Sequence, residues 1–196
     1  MNEIRETYHA GMRTLQDRFD TRRLADRLDE RLGRGAFTED DREFIESRPL
    51  FFLATCDAHG RPDCSHKGGD PGFVRVSGPS ELMFPSYDGN GMFRSLGNIV
   101  ANPGVGLLFI DFQSPRRLRV NGRAVLDDTP EALARFVGAQ LVVRVRAERI
   151  FPNCPRYIHV AGAAEPSVYV PREGYTPPEP KWKSMPFAVD VLPGKR

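Results

Sequence analysis

Residues 93–109 read FRSLGNIVANPGVGLLF, and the order of signals in this stretch decides the fold. Apolar residues at helical spacing predict one helix from Met92 to Ala101, and Asn102-Pro103-Gly104 ends it, because proline and glycine cannot continue the ladder. Val105–Phe112 then reads as a β-strand. A lone helix set between strands points to a β-rich domain with helices inserted rather than to alternating βαβ units.

Working outward, β-type runs bounded by turn residues cover Leu50–Asp57, Asp63–Lys67, Phe73–Ser77, Glu81–Pro85, Leu118–Asp127 and Leu141–Phe151. Asp57-Ala58-His59-Gly60 joins the first two as a hairpin, and the spacing predicts an antiparallel barrel. Thr129-Pro130-Glu131 opens another helix, with cap and proline in the favoured order, running to about Val137. Upstream, Ile4, Tyr8, Leu15 and Phe19 share one helical face. Leu24, Leu28 and Leu32 continue at four-residue steps after a break near Asp20–Thr21, so two amphipathic helices are expected. Thr38 with Asp41 resembles a capping box for a third, with Phe44 and Ile45 on its buried side. All three are read as packing elements. Downstream of Ile158, Pro171, Pro177, Pro178 and Pro180 mark an extended arm carrying Trp182, Met185 and Phe187, which needs its own barrel or a partner subunit to lie on. The predicted organisation is a helical extension over 1–48, a barrel over 49–165 and an arm over 166–196.

Composition narrows the class. The 196 residues are 40% hydrophobic and carry 28 basic against 26 acidic side chains, an ordinary globular balance. The arginines lie beside Asp and Glu, and no stripe of basic and aromatic residues suggests nucleic acid. No apolar run is long enough to span a bilayer and no secretion signal opens the chain, so a cytoplasmic protein is the expectation. Cys56, Cys64 and Cys154 have neither metal spacing nor the even count of a disulfide framework; His9, His59, His66 and His159 are likewise scattered.

Three segments carry candidate chemistry. In SHKGGDPGF, residues 65–73, Ser65, His66 and Lys67 precede Gly68 and Gly69. Hydroxyl and ammonium donors satisfy phosphate oxygens while glycine lets the backbone approach; a solvated hairpin has the same composition. In YDGNGMFRS, residues 87–95, glycines and Asn90 precede a helix with Arg94 and Ser95 in its first turn. Free N–H groups, the helix dipole and the guanidinium fork favour an anion there, and simple capping is the alternative. In RRLRVNGRA, residues 116–124, Arg117, Arg119 and Asn121 alternate with Leu118 and Val120, giving one polar strand face that lines a cleft or meets solvent.

Taken in order, LFFLATCDAHGRP, SHKGG, ELMFPSYD, FRSLGNIVANPGVGLLF and RRLRVNGRA resemble the pyridoxamine 5′-phosphate oxidase-like FMN-binding split-barrel family, over about Pro49 to Asp127. The resemblance implies an antiparallel split barrel that binds FMN as a homodimer, the flavin buried between subunits. It assigns phosphate and ring contacts to Ser65, His66, Lys67 and Gly68, flavin contacts to Phe84, Pro85 and Ser86, the phosphate-holding helix start to Arg94 and Ser95, and a polar contact to Arg117. Ser95 replaces the lysine of the family's Arg-Lys pair, so the phosphate grip is redistributed. The basic and aromatic C-terminal pattern of true pyridoxamine phosphate oxidases is not matched within Pro166–Arg196, which argues against that reaction. IFPNCPRYIH, residues 150–159, resembles a subgroup with largely unassigned substrates.

Arg156 and Tyr157 are the candidates for orienting an anionic or carbonyl substrate. Cys154 reads as an inert thiol, with a reactive thiol near the flavin as the other reading, and Trp182 reads as an apolar anchor, with stacking on a flavin in a partner subunit as the other reading. The implied chemistry is electron or hydride transfer through FMN with a small molecule, with no catalytic acid or base assigned. A non-catalytic flavin carrier or sensor is the competing reading, an enzyme using a deazaflavin or haem is a variant of the first, and a nucleic-acid-binding barrel is a third that the missing basic and aromatic stripe argues against.

Overall fold

The computed structural model describes residues 7–153, 158, 168–179 and 184. Seven antiparallel strands form one sheet in the order β2-β1-β5-β6-β7-β4-β3: β1 Leu50–Cys56, β2 Pro62–Gly68, β3 Arg75–Gly78, β4 Glu81–Ser86, β5 Gly104–Asp111, β6 Arg116–Asp127 and β7 Leu141–Asn153. The edges β2 and β3 do not pair, so the sheet curls without closing and the barrel stays split.

Strand alternation builds the interior. Phe51 and Leu53 of β1, Leu107 and Phe109 of β5, Leu118 and Val120 of β6 and Val143 and Val145 of β7 point inward and are buried. Phe51 is the hub, with ring centroids 4.9 Å from Phe84, 5.1 Å from Phe109 and 5.9 Å from Phe73. The β6–β7 register shifts between Asn121 and Gly122. There a Cβ on Gly122 would lie 2.2 Å from the Arg146 carbonyl oxygen, so only glycine lets the strands approach.

Helices plug and flank this sheet. In α3, Glu39–Glu46, Thr38 accepts from the Asp41 N–H while the Asp41 carboxylate accepts from the Thr38 N–H, the expected capping box, and Phe44 and Ile45 are buried. Helices α1, Ala10–Arg18, and α2, Arg22–Leu32, form where expected, divided at Asp20 with φ +52°. Their packing differs from expectation, because neither buries a residue. Polar ties hold them instead: Tyr8 donates to the Ala25 carbonyl, Arg13 pairs with Asp26, and Arg149 of β7 reaches Thr7 and Asp29. Ile4 lies outside the described residues.

Helix α4, Arg94–Ala101, starts two residues later than expected because Phe93 is left-handed at φ +48°. Helix α5, Pro130–Leu133, is shorter than expected. Beyond it Arg135 and Phe136 bond three residues back, to Ala132 and Leu133, which tightens the chain into a turn while Phe136 is buried. Of the arm, Pro171 meets Gly138 and Arg172 pairs with Asp70, so this part lies on its own barrel; Trp182, Met185 and Phe187 lie outside the described residues. No helix among the described residues is long and apolar enough to cross a membrane.

Truncating the aromatic hub leaves a cavity that three neighbouring rings cannot refill. Phe51→Ala is therefore expected to lower unfolding free energy by about 3–5 kcal/mol in urea titration.

Candidate functional site

Helix α4 is held against β1 by side-chain amides. Asn98 Nδ2 donates to Thr55 Oγ1 at 3.0 Å, and Asn102 Nδ2 to Cys56 Sγ at 3.1 Å, while Asn102 Oδ1 accepts from the Gly104 N–H and turns the chain into β5. Leu96 and Ile99 are buried beneath it. The helix start is thereby fixed beside β2, the edge strand.

Alternation along β2 then selects the side chains that face it. Asp63, Ser65 and Lys67 are partly buried on the helix side, while Cys64 and His66 are exposed on the other. Ser65 Oγ lies 2.9 Å from Ser95 Oγ, Ser95 Oγ donates to Asp63 Oδ2 at 3.2 Å, and Arg94 pairs with Asp63 Oδ1 at 3.2 Å. These groups open on a cavity of about 350 Å³, within the range of small-molecule sites, walled also by Ser86, the 87–93 loop and Gln140. Asn90 shapes that loop, its Oδ1 accepting from the Met92 N–H at 3.0 Å. Burial pushes the Lys67 ammonium below the ordinary lysine pKa, and the Asp63 charge opposes part of that push.

The structure thus brings Ser65, Lys67, Ser86, Asn90, Arg94 and Ser95 to one cavity. It does not bring His66, Gly68, Phe84, Pro85, Arg117 or Arg119 to its wall. Phe84 is buried in the core and Pro85 is buried beside it. His66 and Arg119 lie on the outward sheet face, where the register aligns His66, Phe52, Leu108, Arg119 and Phe151 across five strands. Arg117 stands opposite Asn153, and Arg117 Nε and Asn153 Oδ1 are buried with no hydrogen-bond partner among the described residues. Cys154, Arg156, Tyr157 and His159 lie outside the described residues.

Sequence reasoning missed Asp63, Tyr87, Asp88 and Gln140. The period-two alternation that aligns Ser65 with Lys67 also contains Asp63 and could have found it. Gln140 is reached only through the fold, its N–H donating to the Ser86 carbonyl and its Nε2 to Asp88. Tyr87 is shared with a second cavity of about 620 Å³, bounded by α3, β3 and Val170–Arg172 of the arm. Burial, reinforced by Asp70, raises the Tyr87 phenol pKa, with Arg75 opposing. In that second cavity Arg75 lies over the Phe136 ring, and neither Arg75 nor Arg135 has an ion pair among the described residues.

The family profile described as pyridoxamine 5′-phosphate oxidase matches residues 37–162. Among solved structures, a candidate pyridoxamine 5′-phosphate oxidase from Lactobacillus delbrueckii is 27% identical with a TM-score of 0.50, the match covering 60% of this chain and 95% of that one. An FMN-binding protein from Syntrophomonas wolfei is 11% identical with a TM-score of 0.47, covering 71% of this chain and 97% of that one. HutZ, a heme storage protein from Vibrio cholerae, is 19% identical with a TM-score of 0.44, covering 59% and 94% respectively. Comparison with curated proteins gives no match.

The electrostatics of the cavity are open to direct measurement. In an NMR titration the Lys67 ammonium should lose its proton below the ordinary value of 10.5. Asp63→Asn should move that midpoint lower still, because the carboxylate favours the charged amine. A midpoint that rises in the variant would contradict the assigned contacts.

Proposed function

Because the chain belongs to the pyridoxamine 5′-phosphate oxidase family, we propose that it binds FMN in the cavity between β2 and α4 and works as an oxidoreductase on a small molecule. The observation that carries this reading is the convergence of Ser65, Lys67, Arg94 and Ser95, two hydroxyls and two cations from segments about thirty residues apart, on one cavity. The donor set suits a phosphomonoester, since hydroxyl, ammonium and guanidinium groups bond its oxygens and offset its charge. FMN, when bound, supplies the redox step.

The protein's own work is binding and orientation. Lys67 and Arg94 attract the phosphate, Ser65 and Ser95 fix its direction, and the 87–93 loop with Gln140 walls off solvent. The small molecule enters by the second cavity, which Tyr87 joins to the first and where Arg75 and Arg135 suit an anionic group.

A homodimer completes the reading. The outward face of β1 and β5 carries Phe52, Leu108 and Ile110 half-buried, flanked by His66, Arg117 and Arg119. A twofold pairing through this face would cover the apolar strip.

The visible spectrum of freshly purified protein, followed by identification of what dissociates on denaturation, tests the cofactor: oxidised flavin bands and released FMN are expected, and haem or no chromophore contradicts the reading. Lys67→Ala should weaken FMN binding by about 1.5–3 kcal/mol, the value of one charge-assisted hydrogen bond, in a fluorescence titration. Anaerobic addition of NADH or NADPH should bleach an enzyme's flavin, whereas a carrier would keep its colour with every donor.

A further inference from the structure

The phosphate cradle already holds an anion of its own. Asp63 is 16% exposed, facing Arg94 at 67%, and it accepts from both Arg94 and Ser95. Each serine hydroxyl has a single proton to give. Ser95 spends its proton on Asp63, so the 2.9 Å contact with Ser65 must be donated by Ser65. The two hydroxyls thus form a relay, Ser65 to Ser95 to Asp63, that ends on the carboxylate and leaves lone pairs where an incoming phosphate needs protons.

Charge follows the same pattern. The basic side chains lining the cavity are Lys67 and Arg94, and the acidic ones are Asp63 and Asp88. Two cations and two carboxylates leave no net charge. A doubly charged phosphate enters such a cavity against the Coulomb repulsion of a partly buried carboxylate, where screening is weaker than in bulk water.

We propose that Asp63 is the specificity-determining residue of the cradle: a built-in anion that competes with the ligand phosphate for Arg94 and Ser95 and so holds down the affinity that the phosphate adds. The inference builds on the flavin reading above, but it concerns the anion site itself. The relay must open before the hydroxyls turn to a ligand, and the cost of opening it falls on phosphorylated ligands alone.

The test compares FMN with riboflavin, which differ only in the phosphate, and inorganic phosphate with neither. Asp63→Asn should raise the preference for FMN over riboflavin by roughly tenfold relative to the wild-type protein, by removing one repulsive charge. Riboflavin affinity should be unchanged in the same variant, because riboflavin brings no phosphate to compete with Asp63. Isothermal titration with inorganic phosphate should show the same gain, and Asp63→Ser serves as a second variant if the first misfolds. A general folding defect would move FMN and riboflavin together and would count against the proposal. So would a loss of FMN or phosphate affinity in both variants, which would make Asp63 a support that positions Arg94. If no flavin binds but phosphate affinity rises in the variants, the flavin reading fails while the role of Asp63 stands. Absence of phosphate binding in every form overturns the proposal.

Discussion

The hydrogen bond between Ser65 Oγ and Ser95 Oγ, 2.9 Å long, joins an edge strand to the start of a helix thirty residues further along the chain. The site depends on this juncture. Strand β2 pairs on one side only, so its inner face is free to meet something other than sheet, and the amides Asn98 and Asn102 hold α4 in the place where that meeting occurs. With the helix fixed, alternation does the rest: every second β2 residue faces Arg94 and Ser95. The barrel supplies rigidity through its aromatic hub, and the split between its edges leaves room for a cavity in place of a closed wall.

Much of the architecture was legible because it rests on local chemistry. The Thr38–Asp41 box, the Asn-Pro-Gly stop after α4 and the β-type run from Leu50 bounded by the Asp57–Gly60 turn are short-range signals that tertiary contacts reinforce. The start of α4 was less legible, since nothing in the residue type announces that Phe93 adopts φ +48°, a conformation that costs an aromatic side chain energy and persists only when its surroundings hold it. The length of α5 was hidden for a related reason: burial of Phe136 competes with continued helix and wins. Amphipathic spacing in α1 and α2 predicted helices correctly but not burial, because periodicity reports that a face is apolar, not that a partner surface lies within reach.

The candidate site divides along the same line. Residues adjacent in sequence to a turn or a helix start, such as Lys67, Arg94 and Ser95, were found by the chemistry of anion binding. Arg117 and Arg119 sit on the opposite face of the sheet from the cavity, and a strand with alternating arginines carries no information on which face will be covered. Asp63 escaped notice because a search for phosphate donors passes over a carboxylate, although it is the group that organises those donors. Electrostatic balance is a property of the assembled cavity and cannot be summed from segments taken singly.

The proposed flavin site stands or falls on whether the groups around the Ser65–Ser95 contact receive the phosphate. A crystal structure of the protein soaked with FMN measures this most directly. Phosphate density is expected within hydrogen-bonding distance of Ser65, Ser95 and Arg94, with the Arg94–Asp63 pair opened to admit it. Density for the flavin elsewhere on the chain, or an undisturbed Ser65–Ser95–Asp63 relay beneath a bound flavin whose phosphate points to solvent, would contradict it.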